Sequence, residues 1–384
     1  MKRFKLLCIS AAVATTLFSS TVFASDVKST QNSLDIDTAI NMAIENSYSI
    51  KKLDIGIQQA KNSYNDATRN ASNYNDLLRF VGPDKRLALI KGRDFPQLEY
   101  KYAIFQYTNI KEAAKNELKL GVYQLYSGLV TLKEGLEVEQ KNFNNLEQQY
   151  KKAQLQLSLG QASSVDVKSS EAAYMAEKVK LNQMQRQYDS LTKQLNQILG
   201  VDINTKYSSF TKDNLATEAY PKKYDDYVKD ALTNRVKIRN DNENINTKKM
   251  EFESVRAEYP YSTSSQYQVA KFPVEDAKNK LETDKIDISI EINGLYNDLQ
   301  NKIKKLGPEQ KKYDSAKTTY EKASQSYNLG LISKIDFDRA QLGFKAEEAA
   351  IKSIQRDIWL AQTKLDYASN IGADASSLMG QGTN

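Results

Sequence analysis

One helical turn is written twice in this chain, 170 residues apart, and that duplication limits the possible folds more than any other feature. LSLGQASSVDVKSSEAAY runs from Leu157 to Tyr174, and YNLGLISKIDFDRAQLGF runs from Tyr327 to Phe344. Gly160 and Gly330, Ser163 and Ser333, and Asp166 and Asp336 keep the same order and the same interval. Upstream of the first glycine, Leu118, Val122, Leu125, Leu129, Leu132, Leu136, Phe143, Leu146, Tyr150, Ala153 and Leu157 step by four and three, broken at Glu139. The offset carries this seam onto Ile288, Ile292, Leu295, Leu299, Leu306, Tyr313, Ala316, Tyr320, Ala323 and Tyr327, with Lys302 as an exception and the break on Glu309. A period of about 3.5 residues predicts helices that supercoil on a partner. A stretch of about 50 such residues is on the order of 75 Å long, beyond an ordinary globular helix.

Each glycine suits the left-handed position that ends a helix, and each serine suits the cap of the next. Past the turn, Leu181, Met184, Tyr188, Leu191, Leu195 and Ile198 align with Ile351, Ile354, Ile358, Ala361, Leu365 and Ala368. The expected fold is therefore mainly α, two tandem repeats of a long coiled-coil hairpin, with at most short β-strands at the loops. Gly307-Pro308 falls inside the second long seam and predicts a bend there.

The repeats also share a beginning. Ala43, Asn46 and Ile50 match Ala231, Asn234 and Ile238 at an offset of 188, so the first repeat holds about 18 more residues before its long helix. That extra length falls within 76–107, read as a reduced strand and loop insertion because Gly, Pro and the Tyr100, Tyr102, Ile104 alternation interrupt the helical period. Its shorter counterpart is 259–273. The expected organisation is a signal peptide over 1–24, a first hairpin repeat over 25–200, a polar linker over 201–221, a second repeat over 222–372, and a disordered tail over 373–384.

The first 24 residues carry Lys2, Arg3 and Lys5, an apolar run and a small residue, Ala24, at the cleavage position, which reads as a secretory leader. The chain's one cysteine, Cys8, lies inside it, so disulfides do not brace the mature protein. Of the formal net charge of +6, the leader's three bases account for half, leaving +3, too mild to argue for nucleic acid. Histidine is absent, which removes histidine metal sites and Ser-His-Asp triads together. No nucleophile, metal cluster or glycine-rich phosphate loop stands out, so neither an enzyme nor a cofactor is expected.

The leader, the tandem repeats, A-I-x-x-A-I-E-N at the start and Y-x-x-G-x-x-S-x-x-D at the second tip together resemble the TolC-like outer membrane efflux protein family. The resemblance spans about Leu34 to Gly372. It implies a homotrimer whose six hairpins form a helical tunnel across the cell envelope. The tunnel would dock tip to tip on a periplasmic adaptor (membrane fusion) protein driven by an inner-membrane pump, and pass drugs or polypeptides outward. By motif position, Gly160, Ser163, Gly330 and Ser333 would form the docking tips. Asp166 would face Tyr327, and Asp336 would supply a carboxylate to a constriction that favours cations. Two departures stand out: Ile332 replaces a basic residue, and Arg339 replaces a second constriction aspartate. Both aspartates also suit the third helical position of a capping box, and Tyr327 also continues the seam.

A membrane barrel in this family takes two strands per repeat, each of ~9–11 residues. The 259–273 interval is too short for two, so a reduced or absent barrel is expected, with 80–107 and 259–273 as candidate membrane contacts. The competing expectation is a non-conducting exported scaffold that uses the hairpins for binding in the cell envelope or at the cell surface.

Overall fold

A computed structural model describes residues 33–211 and 220–375. The leader expected over 1–24, part of the expected linker and the residues beyond 375 lie outside the described residues. Eight helices follow in order: α1 (Ile36–Asn46), α2 (Tyr48–Leu78), α3 (Pro83–Ser158), α4 (Ser164–Leu199), α5 (Tyr224–Asn234), α6 (Val236–Glu258), α7 (Ser265–Asn328) and α8 (Lys334–Ala368). Among the described residues the sole β pairing is an isolated bridge between Leu34 and Phe210. At 76 residues, α3 is on the order of 114 Å long.

The architecture is one unit used twice. A short helix (α1 or α5) leads into a medium one (α2 or α6), which lies along the upper part of a long helix (α3 or α7). That long helix turns at a tip and returns as α4 or α8. The core collects around the short helices, where Ala39, Ile40, Val122, Tyr126, Leu195 and Leu199 pack in the first repeat. Tyr227, Ala231, Ile288, Ile292, Ala361 and Leu365 pack in the second. The repeats are joined side by side by α3, which packs against both α6 and α8.

Four expectations are corrected. The 83–107 stretch is helix, not strand or loop, so the insertion lengthens α3 by turns rather than adding a sheet. Its Tyr100–Ile104 alternation is too short to decide, and Leu87, Ile90, Leu98, Tyr102 and Phe105 also recur at helical spacing along the packed face. Gly92 there lets the Tyr74 ring cross the helix, where a Cβ would lie 2.8 Å from it. In the second repeat the irregular stretch shrinks to 259–264, because Ser264 caps α7 and Pro273 falls inside that helix.

The 201–221 segment is not simply a solvated linker. Leu34 N–H donates to Ser209 O at 3.0 Å, and Tyr126 Oη donates to Leu34 O at 2.7 Å. Phe210 is buried against Tyr126. Likewise, the start of the 373–384 tail is pinned: Asp374 accepts from the buried Arg235 at 3.1 Å and Ala375 is fully buried. Helix α7 is unbroken through Gly307-Pro308, which lies on its exposed face.

Candidate functional site

The two tips have the same backbone, built by two linked devices. Gln161 N–H donates to Gln156 O at 2.8 Å and Gly160 N–H to Leu157 O at 3.0 Å. At the second tip, Leu331 N–H donates to Ser326 O at 2.8 Å and Gly330 N–H to Tyr327 O at 2.9 Å. This double closure requires a left-handed residue, and Gly160 (φ 69°) and Gly330 (φ 72°) supply it. The serines then start the return helices: Ser163 Oγ accepts from Asp166 N and Ser333 Oγ from Asp336 N, each at 3.2 Å.

The aspartates are partly occupied by that task. Asp166 Oδ2 accepts from Ser163 Oγ at 2.7 Å and from Ser163 N–H at 3.0 Å, and these bonds hold its carboxyl below the usual carboxylate range. Asp336 Oδ2 accepts from Ser333 Oγ at 2.7 Å, and Arg339, one turn on, donates to its other oxygen at 3.2 Å. The carboxylate expected at a constriction is thus already paired with the arginine that departs from the family pattern. Within one copy, every side-chain hydrogen bond of Asp166 goes to Ser163. Tyr327 stacks on Phe337 of its own hairpin, ring centroids 4.9 Å apart.

That pair is the last rung of an aromatic ladder that sequence reasoning saw only from one side. Tyr313 and Tyr320 both meet Phe344, Tyr320 meets Phe337, and Phe337 meets Tyr327, all within 6 Å. The first hairpin has a shorter version, with Tyr174 between Phe143 and Tyr150. The signal lay in the two repeated stretches themselves, which end on Tyr174 and Phe344. At the apex, Leu155, Leu159 and Val165 of one tip and Leu329 and Leu331 of the other are exposed.

The break in each seam is also explained in the first repeat. Glu139 accepts from Lys180 at 2.6 Å and faces Glu177 across the hairpin. Burial, then the neighbouring Glu139, pushes the Glu177 carboxyl above the usual carboxylate range.

Side by side, the hairpins bury one seam and leave two faces open. Between α3 and α8, Tyr123 meets Trp359 edge to face at 5.0 Å. Arg356 donates to Glu134 at 2.6 Å, with both side chains less than a tenth exposed. The equivalent surfaces on α4 and α7 face solvent: Val165, Ala172, Met175, Val179 and Arg186 on one, Ile286, Ile290, Asn293, Asn301 and Lys304 on the other.

With this geometry established, known structures can be compared. No family model matches the chain, and no curated protein matches its sequence. The fold is similar to that of the CmeC outer membrane channel of Campylobacter jejuni, with a TM-score of 0.65 over 91% of this chain and 89% of that one, at 14% identity. A membrane protein from Pseudomonas aeruginosa gives 0.64 over 94% and 98%, also at 14% identity. The outer membrane protein VceC from Vibrio cholerae gives 0.61 over 88% and 97%, at 12% identity. The chain therefore has the helical fold of these outer membrane proteins, as the TolC-like resemblance implied.

Proposed function

We propose that this chain is one protomer of a helical tunnel in the cell envelope, a part of an efflux or type I secretion system. One observation carries the reading: the face pairing that joins the two hairpins is used once within the chain, and the same two faces stand open at its edges. A repeat that packs on its own kind and leaves both ends uncovered continues until it closes into a ring. Three copies would bring six hairpins together in a homotrimer. The exposed leucines at the tips suit the adaptor protein that the resemblance implies, and an inner-membrane pump would drive transport through it. Asp166, Tyr327, Asp336 and Arg339 would line the narrow end, with Arg339 softening the acidic ring.

The experiment is the mass of the purified mature protein together with its conductance in a planar bilayer. A trimer that conducts supports the tunnel. A monomer at micromolar concentration, or a trimer that never conducts with its adaptor present, supports the scaffold reading. A specific observation favours that second reading. The stretches where this fold class carries membrane strands are here a continuation of α3 and a six-residue turn before α7.

A further inference from the structure

The seam within the chain and the open faces differ in charge in a way the shared fold does not require. Inside the chain, Arg356 of α8 enters α3 between Thr131 and Glu134, donating to Thr131 Oγ1 at 3.0 Å and to Glu134 Oε2 at 2.6 Å. Around this pair, Glu137 and Glu348 alternate with Lys141, Lys345 and Lys352 along the groove, so three acids, Glu134 included, answer four bases, Arg356 included. The 170-residue offset transfers that groove to the edge of the protomer. Arg356 corresponds to Arg186 on α4, and Glu134 to Lys304 on α7. Thr131 becomes Asn301, Glu348 becomes Lys178, Glu137 becomes Gly307, and Lys141 becomes Lys311. All six of these replacements are exposed in the single chain. Arg356 is kept as Arg186 while its acids Glu134, Glu137 and Glu348 are gone. The bases Lys345 and Lys352 become Met175 and Asn182, and one acid, Asp189, stands a turn beyond Arg186 in place of Trp359.

We propose that the seam between neighbouring copies opposes Arg186 of one copy to Lys304 of the next, so that like charge limits ring assembly. This rests on the tunnel reading above and adds to it. The apolar strip of Val165, Ala172, Met175 and Val179 supplies the attraction. The facing bases subtract from it, and salt or a bound anion removes the subtraction. Assembly of this protein therefore strengthens as ionic strength rises, the reverse of a seam closed by ion pairs. The seam inside each protomer, sealed by the Arg356–Glu134 pair, does not share this sensitivity, so the ring separates between copies rather than between hairpins.

A charge-reversal cycle followed by sedimentation tests this on the mature full chain. Arg186→Glu and Lys304→Glu each recreate an acid–base pair, and each should tighten assembly about threefold to tenfold per seam at low salt. The double variant opposes two acids and should return to the weak assembly of the parent. Raising salt from about 50 mM to about 500 mM should strengthen the parent and the double variant but not the single ones. Both positions are exposed, and circular dichroism checks that every variant keeps its helices. If the parent assembles into trimers but neither single change tightens them, the charged seam is overturned and the tunnel stands. If all four proteins remain monomeric at every salt concentration, both fall.

Discussion

The two repeats fill the same internal corner with opposite chemistry. Where α2 packs on α3, Leu53, Ile110 and Ala114 form part of an apolar cluster. At the equivalent places between α6 and α7 stand Asp241, Lys280 and Asp284. Lys280 Nζ donates to Asp241 Oδ1 at 3.1 Å and to Asp284 Oδ2 at 2.6 Å, while Lys237 lies 2.8 Å from the other oxygen of Asp284. Burial, reinforced by the facing carboxyl, pushes Asp241 up to about 6. Burial also opposes ionisation of Asp284, but hydrogen bonds from Asp241, Lys237 and Lys280 outweigh it and hold that group low. Duplication passed on the backbone of this corner without its side chains. Either filling suffices, because the fold asks only that two helices pack and that buried polar groups be answered.

The largest expected effect comes from leaving this ionic corner half answered. Lys280→Ala leaves the buried Asp241 without its cation, Asp284 keeping Lys237, and should cost about 3 kcal/mol in thermal or urea unfolding, whereas Ile110→Val in the apolar corner should cost about 1 kcal/mol. Rebuilding the second corner as the first, with Lys237→Ser, Asp241→Leu, Lys280→Ile and Asp284→Ala together, should leave stability unchanged or raise it by about 1–4 kcal/mol. A large loss in the quadruple variant would show that the ions have a task the first repeat lacks.

A smaller effect has a definite sign with pH. Because Asp241 holds its proton more tightly in the fold than when unfolded, its contribution is fully present below pH ~4 and is lost as pH rises through about 6. Asp241→Asn keeps a donor toward Asp284 and cannot ionise. It should match the parent near pH 4 and exceed it by about 1–3 kcal/mol at pH 8. Equal stability curves across that range would remove the raised carboxyl from the account.

The smallest effect lies at the tips. Phe337→Ala removes a rung of the ladder and should loosen the second tip by about 1 kcal/mol, read as faster amide exchange at Tyr327–Asp336. Val167→Ala, at the equivalent place in the first tip, should change exchange there by less.

How much of this could be read from the sequence follows from range. The seams, the left-handed glycines and the serine caps are local, and the repeated spacing displayed them twice. The helical character of 83–107 was hidden because three alternating residues, Tyr100, Tyr102 and Ile104, look like a strand until α2 and α6 claim their helical face. Phe337 was not singled out because it stands off the seam register, and Phe344 because its partners lie across the hairpin. Glu177, opposite Glu139, was invisible for the same reason. The tip aspartates carried two readings at once, and the single chain engages both with their caps.

The account depends on the second use of the face that joins the hairpins, and cysteine cross-linking addresses it directly. Asp189 and Asn293 correspond to Trp359 and Tyr123, whose rings touch at 5.0 Å within the chain. The one native cysteine is Cys8, so a chain that begins after residue 24 and carries Asp189→Cys and Asn293→Cys offers a short bismaleimide only those two thiols. The account predicts covalent dimers and trimers, with nothing larger. Single chains alone, at a concentration where the parent is associated, would contradict it.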